Sequence, residues 1–232
     1  MRSATSTINA AVWAAVLAMG AAGCKNDHVG QTTRATAASA PTTRVLPSPV
    51  EQAEALAEDA QTYLDQNAWP AAEVKLRQLR DVGEQFASVG VGQTKRSAYG
   101  NALDSLGAAI TRRSQADALT AGNRVSRVVA GIMADYPTKV PVDVTLMDVA
   151  GRDVLYAAQQ GRWGDAANAT AELGRNYAVV QVHVRARDSA LNRRVTAEIV
   201  RLQRAVVSRA RDRATSLALA LLEDVDRIEQ TF

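Results

Sequence analysis

The chain has 232 residues, 47% of them hydrophobic and 22% charged, with a formal net charge of +3. That length supports one large core or two small ones. Two His, one Cys and an aromatic share of 4% exclude a disulfide scaffold, a Cys-rich zinc site and an iron–sulfur protein, and leave little for a histidine-centred active site. The cationic excess belongs to the N-terminal stretch: residues 51–232 carry 23 basic and 23 acidic side chains. The high isoelectric point is therefore no argument for nucleic-acid binding, which needs its positive charge in the folded module.

The first segment behaves as an address. Behind Arg2, Ile8 to Ala22 is apolar or small except at Asn9. A membrane span needs about 20 apolar residues, so this run fits a secretory leader better. It ends Ala21-Ala22-Gly23-Cys24, and Cys24 is the single cysteine of the chain. These residues resemble the lipobox of bacterial lipoproteins, although Leu17 stands further upstream than the leucine often seen there. The resemblance covers only the first 24 residues. It implies removal of residues 1–23, diacylation of the Cys24 thiol and acylation of the new amino terminus. Several acyl chains, at about 0.8 kcal/mol per buried CH₂, anchor a protein where one chain would not. Lys25, rather than Asp, follows the cysteine, which in that family implies the periplasmic face of the outer membrane.

Residues 24–49 read as a disordered tether. Gln31 to Pro49 is built from Thr, Ala, Ser, Pro and Val, and holds three of the six prolines. Such a stretch has no apolar period and cannot bury enough surface to offset the entropy of ordering.

Residues 50–232 read as an all-α helical bundle in two related halves, 50–136 and 141–232. Residues 71–136 and 142–232 contain no proline and are rich in Ala, Leu, Arg, Glu and Gln, which favours helix. Each half is expected to hold a short helix (about 50–66 and 143–159), a tight corner, a second helix (about 70–88 and 163–184) and a long closing helix (about 95–135 and 188–230). In the last of these, Val195, Ile199, Leu202 and Val206 make an apolar stripe that Leu217, Leu221, Val225 and Ile228 continue. Both long helices have polar middles, at Thr111–Asp117 and Ser208–Arg213, where a kink is expected. Val140, Val142 and Val144 alternate, as do Val180, Val182 and Val184; this is a strand signal, but the corresponding stretches of the first half lack it.

The halves match with a shift of 94. Pro47, Asp59, Gln66, Trp69, Ala72 and Leu79 fall on Pro141, Asp153, Gln160, Trp163, Ala166 and Leu173. With a shift of 96, Val125, Val129 and Ile132 fall on Leu221, Val225 and Ile228. This points to an internal duplication.

Few side chains carry chemistry. Trp69 and Trp163 open Gln-x-x-Trp-x-x-Ala frames at helix starts and are expected to anchor the packing of each corner. His183 is the one histidine of the helical region, too few for a haem or di-iron bundle. Asp148 and Arg152 are spaced as an ion pair on one helix face, with Asp153 beside them. The charge distribution is the most uneven feature. Residues 175–213 carry ten Arg against three acids, and Arg194, Arg201, Arg204 and Arg211 fall on one face of the expected long helix. Residues 51–73 carry six acids (Glu51, Glu54, Glu58, Asp59, Asp65 and Glu73) and no base. The stripe either faces an anionic partner or lipid headgroup, or the acidic and basic segments neutralise each other. No triad, Cys nucleophile, phosphate loop or dinucleotide motif is present.

These features lead to the expectation of a non-enzymatic, lipid-anchored helical protein of the bacterial envelope, without cofactor or metal. It would attach to the membrane through its N-terminal lipid and present its bundle to an envelope protein, not to nucleic acid. The alternative is a periplasmic bundle binding a small ligand or metal between its helices.

Overall fold

The computed structural model describes residues 45–232; the leader, Cys24 and most of the expected tether lie outside them. The described residues form eight α-helices and no strand. They are α1 (Ser48–Asp65), α2 (Trp69–Glu84), α3 (Gln93–Thr111), α4 (Gln115–Met133), α5 (Val142–Gln159), α6 (Trp163–Arg187), α7 (Ser189–Val207) and α8 (Arg211–Glu229). A short 3₁₀ turn, Gln85–Ala87, extends α2. The alternating valines near 140 and 180 are helical from Val142 onward. Helix α1 begins two residues before the expected boundary, and Leu46 ahead of it already packs on the core.

The two expected long helices are four. Nothing in the sequence at 112–114 or 208–210 is a Gly or Pro, yet Arg113 and Arg209 sit in the left-handed region, at φ 52° and 53°. The Arg113 amide donates to the Ile110 carbonyl and the Ser114 amide to Ala109. The Arg209 amide donates to Val206 and the Ala210 amide to Ala205. Each pair is a Schellman closure, which satisfies the last carbonyls of a helix and reverses the chain. Asn67 and Gly161 make the same closure at the ends of α1 and α5. Gly90, after the 3₁₀ turn, repeats it, so five turns share one hydrogen-bond pattern, and two place Arg where Gly is usual. The apolar stripe was real but spans two antiparallel helices. Val195 and Ile199 of α7 share one core with Leu221, Val225 and Ile228 of α8, while Leu202 and Val206 of α7 belong to another.

Short corners between consecutive helices make antiparallel neighbours. Helices α1 to α4 pack in sequence and α1 closes on α4; α5 to α8 do the same, with α5 closing on α8. The described residues form two four-helix bundles joined along α4 and α5. The repeat extends to the interior. Val50, Ala53, Leu56, Ala57, Ala60, Gln61 and Leu64 are the buried residues of α1, and each falls, at a shift of 94, on a buried residue of α5. The copies differ after the second helix. Helix α6 runs unbroken to Arg187, and Asp188 turns the chain, its carboxylate accepting from the amides of Ala190 and Leu191 at 2.9 and 2.8 Å. In the first bundle a loop through Gly90, at φ 82°, makes that turn instead.

A larger core fills the first bundle and continues across the junction through Val154, Tyr156 and Ala166 to Leu202 and Ala214. A smaller one, built on Met147, Leu173, Val195, Leu221 and Ile228, fills the far end of the second bundle.

Because Arg209 is left-handed, Arg209→Gly should stabilise the protein by about 0.5–1 kcal/mol. In a continuous helix the same change would cost about 1 kcal/mol. Urea unfolding of the variant decides between them.

Candidate functional site

The junction between the bundles is polar. Helix α4 presents Ser126, Asn123 and Arg127 in succession round the face it turns to α5. Asn123 is fully buried, and its Nδ2 donates to the Val149 carbonyl at 2.8 Å and to Asp153 Oδ1 at 2.7 Å. Arg127 Nη2 donates to Asp153 Oδ2 at 2.7 Å, and its Nη1 donates to Glu172 of α6. Gln61 of α1 donates to the buried Tyr156 hydroxyl of α5. Gly122 makes room for this: a Cβ there would lie 2.5 Å from Gln61 Oε1. Burial works against the Arg127 charge, but its hydrogen bonds to Glu172 and Asp153 outweigh it and hold the guanidinium above its ordinary pKa.

One flank of this junction opens into a groove of about 660 Å³. Helix α4 lines it with Thr120, Arg124 and Arg127, spaced 4 and 3 and so on one face. The α3–α4 corner contributes Arg112, helix α5 contributes Asp153, and the α5–α6 corner contributes Gln160 and Arg162. Two of the basic residues therefore come from Schellman corners, and the corner of Arg112 is one that the sequence disguised. Arg112 pairs with Asp117 at 3.3 Å, and Arg162 with Asp165 at 2.6 Å. The Asp117 carboxyl is held below its ordinary pKa by hydrogen bonds from Ser114 and Arg112. Arg124 is exposed and makes no ion pair among the described residues. Four guanidiniums converge on the groove and two carboxylates, Asp117 and Asp153, face them.

The expected Arg stripe is dispersed. Arg194, Arg201 and Arg204 belong to α7, but Arg211 opens α8 beyond the chain reversal, so the four share no helix face. Arg194 is a structural residue: Nε and Nη2 both donate to the carboxylate of Asp224, at 2.6 Å each, and Asp224 is 2% exposed. Arg201 and Arg204 line a shallow depression with Arg193 and Gln181. Mutual neutralisation of the acidic and basic segments fails as well, because no ion pair among the described residues joins 51–73 to 175–213. Glu54 and Glu58 turn instead toward Asp148, Asp226 and Glu229 across the other flank of the junction, where Arg152 is the basic residue.

The remaining candidates lie outside the groove. Asp148 and Arg152 pair at 3.0 Å on α5, and Asp153 turns away to Arg127. Trp69 and Trp163 are half-buried against the larger core. His183 Nε2 is 3.0 Å from the Thr231 carbonyl, and its ring stacks on Phe232 at a centroid separation of 3.9 Å, which ties the C-terminus to α6. Among the described residues no three His, Cys, Asp or Glu side chains are placed to hold a metal ion, and no helix is long and apolar enough to cross a membrane. No protein-family model, curated protein or solved structure matches the chain.

Sequence reasoning weighted the Arg run in 175–213 and missed Arg112, Arg124, Arg127 and Arg162. They come from three elements that only the chain reversals bring together. The 4 and 3 spacing of Thr120, Arg124 and Arg127 was their one local signal.

Removing Arg194 leaves a buried, partly unpaired carboxylate. Arg194→Met should cost about 2–3 kcal/mol, whereas Arg204→Met should stay within about 0.5 kcal/mol. Equilibrium unfolding of the two variants tests the assignment.

Proposed function

We propose that the protein is a non-enzymatic, lipid-anchored adaptor of the bacterial envelope, and that the groove beside Arg124 is where it receives an anionic group of another envelope component. The observation that carries this reading is the convergence of Arg112, Arg124, Arg127 and Arg162 on one concavity formed by both bundles. Arginine suits that task. Its planar fork binds carboxylate or phosphate oxygens in pairs and stays charged at any physiological pH. Arg127 is fixed by Asp153 and Glu172, which leaves Arg124 at the rim as the group most available to a partner. A positive groove also raises the rate of encounter with an acidic patch.

The anchoring half of the proposal rests on Ala21-Ala22-Gly23-Cys24, the tether on the composition of 24–49. Acylation at Cys24 and a spacer of this length would keep the bundles near the membrane surface while leaving them free to reorient. The outer membrane, on its periplasmic face, is the favoured site because Lys25 follows the cysteine.

Both halves are testable in cells. A photo-crosslinking side chain placed at Thr120 should capture a discrete envelope component. Arg124→Glu combined with Arg162→Glu should reduce that adduct at least about tenfold, the loss of one to two charge-assisted hydrogen bonds, while leaving protein level and membrane fractionation unchanged. Cys24→Ser should release the protein from the membrane fraction. An adduct indifferent to the two charge reversals would contradict the groove assignment, and retention of Cys24→Ser on the membrane would contradict the anchor.

A further inference from the structure

The flank opposite the groove holds a cleft of a different kind. It lies between α1, α4, α5 and α8 and has two connected parts that share Glu54, Glu58, Thr145, Asp148 and Arg152. The inner part has a volume of about 10 Å³ and is floored by Ala57, Val149 and Ser126. A space of about 10–15 Å³ on this measure holds one water-sized group. The outer part, about 60 Å³, is walled by Val140, Val144 and Val225 and rimmed by Asp226 and Glu229. Five carboxylates surround the cleft and one guanidinium, Arg152, answers them.

An acidic cluster alone is often no more than a solvated surface. Here a separate observation points inward. Ser126 is 8% exposed, it lines the inner part, and its Oγ has no hydrogen-bond partner. A serine in a helix commonly bonds back to the carbonyl one turn earlier, as Ser105 does with Asn101. Ser126 does not, and an unpaired buried hydroxyl costs free energy that a partner would recover.

The two parts differ in chemistry as the two ends of one ligand differ. The inner part offers oxygen acceptors in a space the size of an ammonium head. The outer part offers three valines. An inorganic ion has no use for the valines, and the described residues hold no triad of ligands placed for a metal. A quaternary ammonium has no N–H to give Ser126 and is too wide for the inner part.

We propose that this cleft binds a primary alkylammonium ion, with its head beside Ser126, Glu54 and Asp148 and its methylene stem along Val144 and Val225. The carboxylates lack positive partners in proportion to their number. Burial, then the charges of Glu58, Glu229, Asp148 and Glu51, push Glu54 up to about 7. Burial likewise raises Asp148, held back by Arg152 and pushed further by Asp226 and Glu229. A bound ammonium supplies the charge that these groups lack.

The test uses the full chain in detergent, titrated by calorimetry with 1,4-diaminobutane at constant ionic strength. Tetramethylammonium serves as the control for diffuse attraction, and Nα-acetyl-lysine amide as the stand-in for a lysine of a protein partner. Wild-type protein should bind one diamine saturably, and tetramethylammonium should not bind. Glu54→Gln should weaken binding at least about tenfold and Ser126→Ala about fivefold. Ser126→Ala should also unfold at the same or a higher temperature than wild type when no amine is present, because it removes an unpaired buried hydroxyl. That stability separates loss of the site from loss of the fold. Preference for the diamine identifies a free amine as the ligand; equal binding of the lysine amide identifies a partner's lysine. No saturable binding up to about 10 mM, equal binding of tetramethylammonium, or unchanged affinity in both variants would overturn the proposal.

Discussion

The guanidinium of Arg127 lies between Asp153 of α5 and Glu172 of α6, and the relation between the two bundles hangs on that contact and on Asn123 beside it. Each bundle closes on itself through its own first and last helices. What remains to be specified is how one sits on the other. Apolar contact across α4 and α5 supplies area but little direction, since hydrophobic burial is not directional. Asn123 and Arg127 supply direction, because their donors reach named acceptors at one register only: the Val149 carbonyl and both oxygens of Asp153. A shift of α4 along α5 by one turn would leave a buried amide and two charges unpaired, at several kcal/mol. Gly122 and Gln61 complete the constraint. The missing Cβ lets the Gln61 amide lie against α4 and reach Tyr156.

Both clefts are consequences of this junction. Ser126, Asn123 and Arg127 follow one another round α4, so the acidic cleft, the lock and the basic groove occupy successive sectors of one helix. Charge is segregated by the same geometry. The guanidiniums of Arg112, Arg124, Arg127 and Arg162 fall on one flank, and the carboxylates of Glu54, Glu58, Asp148, Asp226 and Glu229 on the other. The second copy shows what the lock adds. At a shift of 96, Asn123, Ser126 and Arg127 fall on Leu219, Leu222 and Glu223 of α8. On α8, Leu219 stands 49% exposed. The polar junction is thus a property of the place where two copies meet, and not of the repeated unit.

Legibility in the sequence followed the range of each interaction. The fold class, the positions of α1, α2, α5 and α6 and the repeat could be read because apolar period, proline placement and the paired tryptophans are local signals. The reversals after α3 and α7 could not. A Schellman corner with Arg at its left-handed position carries no breaker residue, and two antiparallel helices facing one interior keep the same apolar period as one long helix. The reversal after α7 displaced Arg211 from the expected stripe, and the one after α3 hid Arg112 at its corner. Asp148 and Arg152, at i and i+4, were legible as a pair. Asp153 was noted beside them, but its partners Asn123 and Arg127 lie 30 and 26 residues away, and nothing local announces them. The acids of α1 were visible as a run; that Asp59 pairs with Lys75 while Glu54 and Glu58 face other acids depends on the packing of α2 and α8.

A double-mutant cycle on Arg127 and Asp153, read by urea unfolding, tests the central claim most directly. Arg127→Met and Asp153→Leu should each destabilise the protein by about 2–3 kcal/mol, and the double variant by less than the sum, with a coupling of about 1–2 kcal/mol because each side chain is only one-third exposed. Additivity of the two changes within about 0.3–0.5 kcal/mol would mean that the pair is incidental and that apolar contact alone sets one bundle on the other.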